Sequence, residues 1–248
     1  MITSGSPPFS TGSSSTSHAG DSQRVRDHTE GVLVTDTLVR SYDLSDRERL
    51  NALFTRAGAD SPSGELWGHP ASERTIYLDP YLRLDPRSVF LAEVGGELVG
   101  YLTGCLDSSE LPSEDERMKR AITEHRLMRR PRVIGFFARA AFDLAWTRLR
   151  RQEVVSGDFA DPDWPAHLHI NVAPEARGTG AAEALMAAWF DRLSEAGSPG
   201  CHLQTLVENA RAVRFFERMG FRPHGTTPLV PGIRYQGARV HQLTMVRP

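Results

Sequence analysis

One stretch of the chain, His169-Ile170-Asn171-Val172-Ala173-Pro174-Glu175-Ala176-Arg177-Gly178-Thr179-Gly180-Ala181-Ala182, combines residue types that suit the binding of a diphosphate. A strand-like run leads into a turn with two glycines, and the turn opens an amphipathic helix. The first turn of a helix has main-chain N–H groups without intrahelical partners, and the helix dipole is positive there. Gly178, Gly180, Ala181 and Ala182 carry little or no side chain, so phosphate oxygens can come close to those amides. Two common phosphate loops are excluded. No lysine follows the glycines as a P-loop requires, and Glu183 stands where the dinucleotide fingerprint needs its third glycine. A plain strand-to-helix connection is the alternative reading of this turn.

What remains is R-x-x-G-x-A preceded by V-x-P. A second segment follows about thirty residues later, where the strand-like Leu203 to Val207 leads to Asn209-Ala210-Arg211-Ala212-Val213-Arg214-Phe215-Phe216-Glu217-Arg218-Met219-Gly220-Phe221. The two motifs in this order resemble the GNAT superfamily of N-acetyltransferases, over residues 166 to 248 and more loosely at 90 to 105. The run Trp164 to Ile170 is also similar to acetyltransferase-like domains joined to some O-GlcNAc hydrolases. The resemblance implies that the strand before the turn splays from the strand before Asn209, with the pantetheine arm of acetyl-CoA, the co-substrate, in the gap. By motif position, Val172, Ala173 and Pro174 then border the arm, and Arg177, Gly178, Thr179, Gly180, Ala181 and Ala182 hold the pyrophosphate. Asn209 and Phe216 line the same cleft.

The implied chemistry is direct attack of an amine, of a small molecule or a protein, on the thioester carbonyl. A lysine-like amine has a pKa of about 10.4, so a base must take its proton. His169 and His167 are the candidate catalytic residues, because histidine titrates near neutrality. Their spacing of two puts both on one face of a strand; whether that face meets the cleft or a packed helix is open, as is the reading of both as ordinary core or surface histidines. Glu208, Tyr101 and Glu93 are further candidates for the base. Many family members give the leaving thiolate a proton from a tyrosine where this chain has Phe216. A CoA thiol near pKa 8.5 leaves tolerably without help. A module that binds CoA without turnover, and a transferase using another acyl donor, are the competing expectations. Arg211, Arg214 and Arg218 are charged donors that suit CoA phosphates or a solvated helix face.

The elements that must position these residues follow from the pattern. Residues 1–30, rich in Ser, Gly and Pro, predict a disordered tail. Val32 to Tyr42 reads as a strand, Ser45 to Glu48 as a capping box, and Leu50 to Ala57 as a helix ended by Gly58. Residues 60–86 predict a short helix among loops. Phe90 to Val94 and Leu98 to Cys105 form a hairpin across Gly95-Gly96. Residues 107–165 predict a helical insertion divided by Pro131, which covers the cleft and shapes the acceptor pocket or forms a homodimer surface. His167 to Val172, Gly180 to Ala196, Cys201 to Val207 and Ala210 to Met219 alternate strand and helix, and Phe221 to Thr226 and Arg239 to Val246 close the chain as strands. The fold class is α/β (α+β): one GNAT-like domain, 31–248, with a mixed, mostly antiparallel sheet flanked by helices.

The chain has 248 residues, 40% hydrophobic and 24% charged, with a net charge of −2. That balance argues against a nucleic-acid partner or an anionic membrane. No apolar run is long enough for a span and no secretory signal opens the chain, so the expected location is cytoplasmic. Cys105 and Cys201 read as small buried hydrophobes, and His-x-His without further ligands predicts no metal.

Overall fold

The Gly95-Gly96 turn closes a hairpin as predicted, and the sheet extends outward from it. Both glycines have positive φ, 59° and 84°, the backbone that a tight hairpin turn requires. The computed structural model describes residues 32–34, 37–58, 67–150 and 157–248; the segment 1–30 lies outside the described residues. The hairpin strands are β3 (Val89–Val94) and β4 (Glu97–Cys105). Val32 to Tyr42 is not one strand but two, β1 (Val32–Val34) and β2 (Thr37–Ser41). They pair antiparallel, with Val34 opposite Thr37.

β5 (Ala166–Val172) joins β4 antiparallel and β6 (Cys201–Leu206) joins β5 parallel. β7 (Arg222–His224), β8 (Leu229–Tyr235) and β9 (Ala238–Arg247) complete a mixed, mostly antiparallel sheet in the order β1-β2-β3-β4-β5-β6-β9-β7, with β8 also on β9. β8 escapes the sequence pattern because Pro231 and Gly232 interrupt it, and its pairing with β9 is irregular there.

The helices are α1 (Arg47–Gly58), α2 (Pro70–Tyr77), α3 (Asp79–Leu84), α4 (Glu114–Glu124), α5 (Pro131–Leu149), α6 (Ala181–Ala196) and α7 (Ala210–Arg218). The capping box before α1 belongs to Asp43 and Asp46 rather than to Ser45. Asp43 accepts from the Ser45 amide at 2.8 Å and Asp46 from the Asp43 amide at 3.0 Å, around a single 3-10 turn. Of residues 60–86, the described part from 67 onward contains two short helices, α2 and α3, where one was expected.

Leu185, Met186, Trp189 and Leu193 of α6 recur at helical spacing and pack on one face of the sheet with Leu102, Leu168, Leu203 and Met245. Each fully buried side chain of this size contributes about 1.5–3 kcal/mol. Gly104 permits the close approach: a Cβ there would lie 2.3 Å from Cζ3 of Trp189. The opposite face meets α1 and α3 through Leu50, Leu53, Leu78, Leu91 and Tyr101. A third cluster, Trp67, Ile76, Ala121, Leu127, Val133 and Phe136, joins α2, α4 and α5. No helix among the described residues is long and apolar enough to cross a membrane.

Candidate active site

β5 and β6 pair at only two positions, Ala166↔Cys201 and His167↔His202. Beyond them β5 continues along β4 to Val172 and β6 continues along β9 to Leu206. The two strands therefore diverge, and a V-shaped gap opens in the middle of the sheet. Leu168, His169, Ile170 and Asn171 line one side of it, and Leu203, Gln204, Thr205 and Leu206 the other. They belong to a cavity of about 770 Å3 that also takes in Asn209, Ala212 and Phe216. Asn209 caps α7, its side-chain oxygen accepting the Ala212 amide at 3.3 Å, which sets Ala212 and Phe216 one turn apart on the cavity side. Phe216 is buried against Phe215 and Phe221.

The glycine turn begins where β5 ends. The Ala173 amide donates to the Val99 carbonyl at 2.7 Å, and Pro174–Ala176 form one 3-10 turn. Gly178 and Gly180 both have φ of 84°, the left-handed region that side chains disfavour. A Cβ on Gly178 would meet nothing within 4 Å, so this backbone faces open space. Among the described residues no side chain caps the first turn of α6, and main-chain amides at such a helix start suit an anion. The Ala176 carbonyl accepts from Thr179 Oγ1 at 2.8 Å, and Thr37 of β2 donates to the Thr179 carbonyl at 3.3 Å. Val172, Ala173, Pro174 and Arg177 to Ala182 are not in the cavity wall; they follow directly from the strand that lines it.

The register settles which way the two histidines point. His169 pairs with Thr103 and His167 with Cys105, so both share the face of Tyr101, away from α6. The Tyr81 hydroxyl and His167 Nδ1 share a hydrogen bond of 2.8 Å, and the His169 ring stands edge-on to Tyr81 and Tyr77, 5.3 and 6.1 Å between centroids. Both rings line the cavity. Burial, reinforced by the Arg117 charge, pushes His169 down to about 3. Burial with neighbouring His169 and His202 pushes His167 well below its usual value. Both rings are neutral at pH 7 and are weak proton acceptors. Of the other candidate bases, Tyr101 lines the cavity and accepts from Asn171 at 2.9 Å. Glu93 is held by Arg40 and Arg49, and Glu208 by His241.

The far wall comes from segments whose role the sequence hides. α2 and α3 supply Glu73, Tyr77 and Tyr81, α4 supplies Glu114 and Arg117, and Asp158 and Phe159 precede β5. The spacing of four between Tyr77 and Tyr81 was the available signal, but Pro70, Pro80 and Pro86 obscure the helices around it. Glu114 looks like any acid in a helix first turn. Among the described residues no three metal-type ligands gather.

The model of the acetyltransferase (GNAT) family matches residues 50–221. The chain belongs to that family. GNAT proteins use acetyl-CoA as co-substrate. A mycothiol acetyltransferase of Parafrankia sp. (strain EAN1pec) is 25% identical over 202 residues, 78% of this chain and 48% of that protein. The chain thus spans about half the length of this curated relative. Two solved structures share the fold. SsHAT is 23% identical with a TM-score of 0.51, over 85% of this chain and 98% of its own. The putative acetyltransferase yncA from Salmonella typhimurium, solved with acetyl-CoA, is 14% identical with a TM-score of 0.51, over 86% and 93%.

Proposed function

We propose that the protein is an acetyl-CoA-dependent N-acetyltransferase that passes the acetyl group to an amine of a small molecule or a protein by direct attack. The observation that carries this reading is the continuity of the cavity, from the gap between β5 and β6 to the wall built by α2, α3 and α4. A donor arm in the gap brings its thioester to that wall, where an amine enters from the other side. Val172, Ala173 and Pro174 border the arm, the amides of Gly178, Gly180, Ala181 and Ala182 take the diphosphate with Arg177 and Thr179 beside them, and Asn209 and Phe216 shape the slot. Holding both reactants in line removes much of the entropic cost of a two-substrate reaction. Two buried, unpaired cysteines and the co-substrate fit a cytoplasmic location.

One observation favours a second reading. Phe216 lines the slot and has no proton to give a departing thiolate, which fits a module that binds CoA without turnover. The deciding experiment incubates the protein with acetyl-CoA and a broad panel of small-molecule and peptide amines, following thiol release. Amine-dependent release is the expected result. CoA binding by calorimetry without release would make the protein a binder, and no CoA binding at all would end both readings.

A further inference from the structure

Glu114 opens α4 beside Asp115 and Glu116, yet the three acids do different things. Glu116 closes a capping box with Ser113 and Asp115 is exposed. Glu114 is mostly buried and lines the cavity. Its carboxylate accepts from the Tyr77 hydroxyl at 3.2 Å, and its amide donates to Asp158 at 2.8 Å, which fixes the start of the helix against the segment before β5.

The other carboxylates of this wall are engaged elsewhere. Asp158 receives the Arg117 guanidinium at 3.3 Å, and Glu73 accepts from the His69 amide at 3.4 Å. Arg117, buried one turn along α4, also donates to the Ile76 carbonyl at 3.0 Å. Glu114 makes no ion pair among the described residues, and a carboxylate has room for more donors than one phenol. Tyr77 stands beside it and meets His169 edge-on, and His169 in turn meets Tyr81, so this wall of the cavity offers ring faces and edges that suit an ammonium group.

Resting on the transferase reading above, we propose that Glu114 is the catalytic base, binding the acceptor as its ammonium ion and taking one proton from it. The nitrogen lone pair so freed forms the new C–N bond at the thioester carbonyl. The C–S bond breaks with its electron pair on sulfur, the second nitrogen proton passes through water to that sulfur, and Glu114 returns its proton to solvent. The products are an N-acetyl amide and free CoA thiol.

Burial holds the Glu114 carboxyl above the ordinary carboxylate range, against the pull of Arg117, which makes it a stronger base than a free glutamate. Burial moves His169 the opposite way. The charged and titratable groups around Glu114 are Glu73 and Tyr77 of α2, Asp115 and Arg117 of its own helix, and Asp158 before β5. His69, His125 and Arg129 lie around the far end of α4.

The test compares Glu114→Gln, His169→Gln and Tyr77→Phe for CoA binding by calorimetry and for kcat/KM against pH. Glu114→Gln should keep CoA affinity, lose about a hundredfold or more in kcat/KM, and lose the acid limb of the profile. Tyr77→Phe removes the hydrogen bond that favours the ionised carboxylate, so its acid limb should move to higher pH. His169→Gln should leave the limb in place. A Glu114→Gln enzyme within threefold of the parent, or a limb that vanishes with His169→Gln, overturns the assignment. Should Glu114→Gln not fold, an unmoved limb in Tyr77→Phe overturns it alone. A parent protein that binds CoA yet turns over no amine refutes the transferase reading itself, which is a different failure.

Discussion

Asp143, wholly buried on α5, receives both terminal nitrogens of Arg234 on β8, each at 2.7 Å. Arg239 of β9 at 3.0 Å and the Gly232 amide at 2.9 Å complete its shell. This cluster fastens the helical segment between β4 and β5 to the last hairpin of the sheet. Burial alone would raise the Asp143 carboxyl, but the hydrogen bonds from Arg234 and Gly232 hold it below the usual range.

Asp143→Asn should therefore cost roughly 3 kcal/mol, at the low end for breaking a buried pair because both arginines reach solvent. Urea unfolding reads this directly. A midpoint equal to that of the parent would show that the cluster does not hold α5.

Acid should weaken the fold in two stages. Burial keeps His167, His169 and His202 below the ordinary histidine value, so between their folded values and about 6.5 the unfolded chain binds more protons than the folded one. Stability therefore falls as pH drops below about 6.5. A second loss follows as the carboxyls of Asp46, Asp85 and Asp143, all held low in the fold, take up protons below about pH 4. Melting temperatures from pH 8 to pH 4 check the first stage, and a profile flat down to pH 5 would refute it.

Gly178→Ala tests the turn. At φ of 84° a Cβ costs about 1–2 kcal/mol, a few degrees of melting temperature for a domain of this size. The same Cβ stands in the open space that a diphosphate must enter, so CoA affinity should fall at least tenfold. Calorimetry showing parent-like affinity would move the diphosphate elsewhere.

Phe216→Tyr adds a hydroxyl inside the slot. If thiolate departure limits the reaction, kcat should rise by up to about tenfold, below the usual range for an acid catalyst because the thiol is already a fair leaving group. The KM for acetyl-CoA should hardly change. A kcat that stays at the parent value would place the slow step before C–S cleavage.

The strand, turn and helix from His167 to Ala196 were readable because local chemistry dictates them. Glycines sit where φ is positive, at 178, 180 and 197, and apolar spacing changes from two to nearly four at the turn. The divergence of β5 from β6 was expected only by resemblance, since nothing within either strand encodes where its pairing stops. The side toward which His167 and His169 point depends on register with β4, a long-range property. Tyr77, Tyr81 and Glu114 reach the cavity through packing of α2, α3 and α4 far from the motif in sequence. β8 was missed because Gly232 and Pro231 look like loop residues; a Cβ on Gly232 would press on Phe136 and Ala140 of α5 at 3.0–3.2 Å, so this glycine serves packing.

The two-position pairing of β5 with β6 leaves the sheet with a pair of inward edges, where main-chain donors and acceptors face no neighbouring strand. Such an edge is a template for any extended chain, a stray segment of another molecule included. A guest with amide groups along its length satisfies these edges much as a short strand would. Loss of that guest during purification should therefore make the protein stickier as well as idle, and added nucleotide should keep it in solution.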